Sequence, residues 1–285
     1  MPGQVRSRAN LAPFNHRVRS IMSSLPADAA APAQRIEPVS RDGLRVSEEE
    51  YWRDYYLESD IHYEWNDGRL EEKPVSDYET YLVYEWLTSL LRCFLSVHPI
   101  ASMVALEIGF RLRLPTRTVI RRPDLGVVTK ANPQPLLPLD CSYHGIFDLC
   151  IEALSDKERR GIERDQVTKR QEYALAGVRE YYILHREVRR LAFFRLDERG
   201  VYAPMDCADG IVRSAALSGF QFRVQDLILR PALEGLRNHP VYRGFLWPEW
   251  AEAERRADEE ARARKEAEQE VQRLRALLAG RVGDL

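Results

Sequence analysis

The chain has 285 residues, 45% hydrophobic and 30% charged, which suits a soluble globular protein of one or two domains carrying a charged appendage. A formal net charge of −2 argues against a sequence-blind nucleic-acid coat protein, which needs a global positive field, but leaves room for a local basic cleft. Four scattered cysteines with no CxxC pair argue against a disulfide framework or zinc site, and no apolar run reaches the roughly 18 residues of a membrane span. The expectation is a cytoplasmic protein with reduced thiols and no membrane segment.

Residues 1–46 are rich in Arg, Ala, Pro and Ser and lack a long apolar stretch. They read as a disordered leader, with an organelle transit peptide as the less fitting alternative. Order is expected from Ser47, which forms a capping box with Glu50 ahead of Tyr51 and Trp52. Asp67-Gly68, set between the alternating residues of 63–71, signals a tight hairpin. Tyr81, Tyr84, Leu87, Leu91 and Phe94 recur at helical spacing within 77–97, and Pro99 ends that helix. Val104 to Leu114 alternates as one long strand, with Glu107 opposite the apolar face.

Pro123 opens a strand running through Val128, and 147–154 reads as a strand buried on both faces. A helix over 165–176 stops at Gly177, and 180–184 is a further strand. A hairpin follows, built from 191–194 and 201–202. The predicted class is α+β (α/β layered), a mixed sheet flanked by helices over 47–235. A linker is expected at 236–248. The tail, 249–280, is a charged amphipathic helix whose seam (Trp250, Ala253, Ala257, Ala267, Val271, Leu274, Leu278) is interrupted by Glu260 and Arg264. It suits a short coiled coil, hence a possible homodimer, and equally a lone solvated helix.

Two strands each carry one carboxylate, Asp124 and Glu152. Side-chain alternation sends Glu152 and Leu154 one way and Ile151 and Ala153 the other. A charge inside a buried strand is costly unless it is paired or binds a metal. On neighbouring strands the two acids could share one Mg²⁺, which takes carboxylate, carbonyl and water oxygens. Asp165, Lys169 and Tyr173 form one stripe at four-residue steps. Only five of the 42 basic residues are lysines, so Lys169 is a candidate for orienting a metal-bound nucleophile. If it does so, Lys169→Ala leaves folding intact. Arg121, Arg122, Arg159, Arg160 and Arg164 are candidates for phosphate contacts. The blander readings are a turn cap for Asp124, a structural ion pair for Glu152 and a surface pair for Asp165 and Lys169.

The ordered set of the 63–70 hairpin, Pro123-Asp124, Ile151-Glu152-Ala153-Leu154-Ser155, Asp165 with Lys169 to Tyr173, and Gly177 to Tyr182 resembles the Uma-two family of restriction-endonuclease-type proteins, a branch of the PD-(D/E)XK nuclease superfamily. The resemblance covers about Ser47 to Leu229. It implies a restriction-endonuclease-like core in which Asp124 and Glu152 hold Mg²⁺ (or Mn²⁺) and the chain hydrolyses nucleic-acid phosphodiester bonds, chiefly those of DNA. The strict motif places lysine two residues after the second acid, where this chain has Leu154, so the resemblance implies that Lys169 takes that role. Glu79, Glu107 and Asp165 are possible supporting acids. The alternative is a catalytically idle domain of the same fold that binds nucleic acid or a protein partner.

Overall fold

The computed structural model describes residues 39–155, 157 and 159–282. Helix α1 (Glu48–Glu50) is capped by the Ser47 side chain, which accepts from the Glu50 amide, and runs into a π-helical segment, Tyr51–Tyr56. The hairpin of β1 (Tyr63–Asn66) and β2 (Arg69–Glu72) turns at Asp67 and Gly68, both at positive φ. Helix α2 (Tyr78–Val97) starts at Asp77, whose side chain accepts from the Thr80 amide. Strands β3 (Ala101–Val104), β4 (Phe110–Arg113), β5 (Thr118–Arg121), β6 (Leu125–Thr129) and β7 (Leu149–Ala153) follow. Next come α3 (Arg159–Glu163), a π-helical turn (Arg164–Lys169) and α4 (Arg170–Ala176), which ends at Gly177 with φ +89°. Strands β8 (Glu180–Leu184), β9 (Ala192–Leu196), β10 (Tyr202–Pro204), β11 (Ile211–Arg213) and β12 (Gln221–Arg223) precede α5 (Val224–Leu229), α6 (Leu233–Leu236) and α7 (Pro248–Val282).

The central sheet has six strands in the order β10-β9-β8-β7-β6-β3. Only β7 and β8 pair in parallel, joined by the crossover through α3 and α4, so the sheet is mixed and the class is α+β as expected. A second, antiparallel sheet runs β2-β1-β5-β4. Alternation divides the core. Leu125, Val127, Leu149 and Ile151 face α2 through Val83, Leu87, Leu90 and Phe94. Val128, Cys150, Tyr181 and Ile183 face the other way, onto Phe110 and Leu112 of β4 and Tyr173 of α4.

Three expectations need correction. The long strand over 104–114 is two strands, because Leu106 and Glu107 take left-handed φ values of 63° and 54°. Two adjacent non-glycine residues in that region break a ladder, and they turn Glu107 out of the alternation. The linker assigned to 236–248 is core: Leu236, Val241, Tyr242, Phe245 and Leu246 are buried against α2 and the small sheet. The leader boundary at residue 46 falls inside ordered chain, because Gly43 and Val46 donate backbone hydrogen bonds to Leu70 and Gly68. Residues 1–38 lie outside the described residues. The tail is helical as expected, and the seam positions Ala253, Ala257, Ala267 and Val271 are exposed, while the side chains of Trp250, Leu274 and Leu278 lie outside the described residues. Among the described residues, no helix is long and apolar enough to cross a membrane.

Candidate active site

The site forms where the ends of β6 and β7 meet the β1–β2 hairpin and the π-helical turn. Strands β6 and β7 pair with Leu125 opposite Ile151 and Gly126 opposite Cys150. Continuing this antiparallel register by one step sets Asp124 opposite Glu152. Directly opposed residues share a face, so both carboxylates point away from α2. The Ala153 amide donates to Asp124 Oδ2 at 2.6 Å, which fixes the aspartate against the end of β7.

A lysine joins the two acids, and it is Lys73, at the end of the hairpin. Its ammonium lies 2.9 Å from Asp124 Oδ1, 3.5 Å from Glu107 Oε1 and 4.0 Å from Glu152 Oε2, and it donates to the Arg122 carbonyl at 2.5 Å. The left-handed turn at 106–107 aims Glu107 into this group, where its other oxygen is 2.5 Å from His62 Nδ1. Asp124, Glu107, His62, Lys73, Tyr81 and Tyr84 line a cleft of about 560 Å³.

Lys169 lies on the far side of Glu152, away from the cleft. Its ammonium is 3.0 Å from Glu152 Oε1, 3.0 Å from Glu64 Oε1 and 3.2 Å from Asp165 Oδ1, and the side chain is 1% exposed. The Tyr173 hydroxyl donates to the same Glu152 oxygen at 2.9 Å. Asp165 and Lys169 sit on the π-helical turn, a wider coil that is frequent at functional sites. The predicted stripe of Asp165, Lys169 and Tyr173 is therefore buried rather than a surface pair.

Behind Lys169 is a second ionic layer. Arg121, at the end of β5, is fully buried and donates to Glu64, Glu71 and Glu172, tying the hairpin to α4. The Arg122 guanidinium lies over the Tyr56 ring at 4.6 Å and donates to the Glu107 carbonyl. These two arginines are structural and not open to phosphate, contrary to expectation. Arg164 is mostly buried and donates to the Glu72 carbonyl, and Arg160 is exposed and paired with Asp42. Arg159 is exposed. Glu79 stands apart, exposed and paired with Arg230 at 3.0 Å, so it does not join the acids of the cleft.

The electrostatics follow from burial. Glu64 and Glu152 share the Lys169 ammonium. Burial penalises the Glu64 carboxylate, but Lys169 and Arg121 outweigh that and hold it well below its usual range. Burial pushes Glu152 up to about 8 against the pull of Lys169 and Lys73, and neighbouring Asp124 adds to the rise. The opposing acids raise Lys73 and Lys169 despite the burial that works against both cations. At Glu152 burial thus outweighs the two lysines beside it.

Among the described residues, no group of three or more His, Cys, Asp or Glu side chains forms a ready-made metal nest. The oxygens around Lys73 nevertheless suit a hard divalent ion: carboxylates from Asp124, Glu152 and Glu107 and one backbone carbonyl already surround a single cation. The Ala153 carbonyl is engaged by the Ser76 hydroxyl. Sequence reasoning missed Glu64 and Lys73. The scarcity of lysine pointed to Lys73 as much as to Lys169, and Glu64 is a carboxylate between two large aromatics, Tyr63 and Trp65.

The fold is a mixed-sheet α+β domain with buried acids and lysines at one end of its central sheet. The chain belongs to the Uma2 family, described as "Putative restriction endonuclease", which it matches over residues 48–225, more than half its length. A similar solved structure is that of a "putative nuclease belonging to DUF820" from Anabaena variabilis ATCC 29413. The two are 17% identical with a TM-score of 0.48, over 60% of this chain and 92% of that one. No curated protein matches the chain.

Proposed function

We propose that this protein is a divalent-metal-dependent endonuclease acting on DNA. The observation that carries the reading is the acid pair. Asp124 and Glu152 face the same side across one strand register, Asp124 at the wall of the cleft and Glu152 buried just behind it, on either side of the Lys73 ammonium. Asp124 and Glu152 hold Mg²⁺ or Mn²⁺, with Glu107 as the supporting acid. When bound, such an ion acidifies a water and neutralises charge developing on the phosphate.

The chain's own residues do the rest. Lys169 and Tyr173 fix the Glu152 carboxylate by two hydrogen bonds to Oε1, which leaves Oε2 directed toward Lys73. Asp165 and Glu64 hold the Lys169 ammonium in turn, so Lys169 serves as a positioning residue. The Ala153 amide orients Asp124. The family description supports DNA as substrate.

The test is cleavage of plasmid and single-stranded DNA with Mg²⁺, with Mn²⁺ and with EDTA. Wild type is expected to cut only with metal. Glu152→Gln is expected to cut at least about 100-fold more slowly, since it removes one ligand charge with little change of shape. Metal-independent cutting, or full activity in Glu152→Gln, overturns the reading. No cutting of either substrate under any condition points to an idle domain of the same fold.

A further inference from the structure

The metal position already has an occupant. Lys73 is held from its backbone outward: its amide donates to the His62 carbonyl at 2.9 Å, and three residues later the Ser76 hydroxyl is bonded to the Ala153 carbonyl. The side chain is 5% exposed although it stands at the wall of an open cleft. Its ammonium bonds Asp124 at 2.9 Å and approaches Glu152 to 4.0 Å, the two carboxylates that would ligate a divalent ion. An ammonium and a divalent cation compete for Asp124 Oδ1, the oxygen that Lys73 holds at 2.9 Å. Like charges this close in a poorly solvated pocket repel strongly.

We infer that Lys73 is an internal stand-in for the metal, an inference that rests on the nuclease reading above. Its ammonium is the counter-charge that Asp124 and Glu107 meet in the metal-free protein. A divalent ion binds by displacing it, and the freed ammonium turns into the cleft. Two consequences follow. Metal binding is weaker than the carboxylates alone would give, because the lysine competes for them. Metal binding also uncovers Lys73 to solvent.

The experiment measures Mn²⁺ binding by calorimetry and by the paramagnetic resonance of free Mn²⁺. It compares wild type, Lys73→Met and Asp124→Asn. Lys73→Met is expected to bind Mn²⁺ at least tenfold more tightly than wild type, and Asp124→Asn to lose binding. A second measurement needs no substitution. Wild type is acetylated with an amine-reactive reagent in EDTA or in saturating Mn²⁺, and the five lysines are quantified by peptide mass spectrometry. Lys73 is expected to react several-fold faster with Mn²⁺, and exposed Lys130 at an unchanged rate.

If Mn²⁺ binds in an Asp124-dependent way while Lys73 labelling stays constant, or Lys73→Met binds no more tightly, the stand-in inference fails and the metal site survives. If neither wild type nor Lys73→Met binds Mn²⁺, the metal reading fails and takes the inference with it.

Discussion

Lys169→Met is the most informative perturbation of the buried layer. Lys169 is 1% exposed and its ammonium meets Glu64, Glu152 and Asp165 within 3.2 Å. Methionine keeps the length and volume of the side chain and removes only the charge. Glu64, Asp165 and Glu152, three nearly buried acids, then lose the cation they share, and Glu64 is held ionised by that cation. Removing one partner of a buried ion pair costs about 3–5 kcal/mol, because the remaining charge has neither water nor a counter-ion. At about 2–4 °C per kcal/mol for a domain of this size, the melting temperature falls by roughly 6–20 °C. Thermal denaturation followed by circular dichroism at neutral pH in EDTA reads this directly. This differs from the sequence-based expectation that Lys169 can be removed with folding intact. A Lys169→Met protein melting within 2 °C of wild type would refute the burial argument and return Lys169 to a solvent-facing role.

Other outcomes follow from the same geometry. Glu152, raised to about 8 from 4.5, favours its protonated form in the folded protein, so its stabilising contribution is complete below about pH 4.5 and is lost as pH rises toward 8. In EDTA, wild type therefore loses stability relative to Glu152→Gln between pH 5 and 8, and saturating Mn²⁺ removes the difference; parallel stability curves in EDTA would contradict the assignment. Mn²⁺ affinity rises through the same window with release of a proton, measurable by calorimetry in buffers of different ionisation enthalpy. Gly126 lies against the Phe147 ring, with a Cβ placed there only 2.5 Å from it, so Gly126→Ala costs about 1–3 kcal/mol in denaturant titration. A variant ending at Pro248 keeps the melting temperature of the full chain, because the described side chains of the tail are exposed; light scattering of the two proteins reports whether the tail carries any self-association.

What was legible in the sequence was local. Helix α2, the tight hairpin at Asp67-Gly68, strand β8 and the stop at Gly177 follow from spacing, turn chemistry and capping, each set by residues a few positions apart. The same holds for the shared face of Asp165, Lys169 and Tyr173, and for Glu152 pointing with Leu154 rather than Ile151. The sequence also singled out Asp124 and Glu152 as carboxylates that needed a reason to sit on buried strands.

Tertiary structure decided what those carboxylates meet. The opposition of Asp124 and Glu152 depends on the register of β6 on β7, which hydrogen bonds between distant segments select. Lys73 reaches them from a hairpin 51 residues before Asp124, and Glu64 enters from the same hairpin, with no sequence tie to the motif. A left-handed turn at 106–107 breaks an alternation that reads as one strand, because alternation records which side a residue faces and not where the backbone bends. The apolar residues of 236–248 are few and scattered among Asn, His, Pro, Arg and Gly, so the stretch reads as a linker, yet they close the core. Burial is a property of what packs on a side chain, so the chain alone marked Lys169 as a notable lysine, and only the fold put it behind the cleft and Lys73 in it.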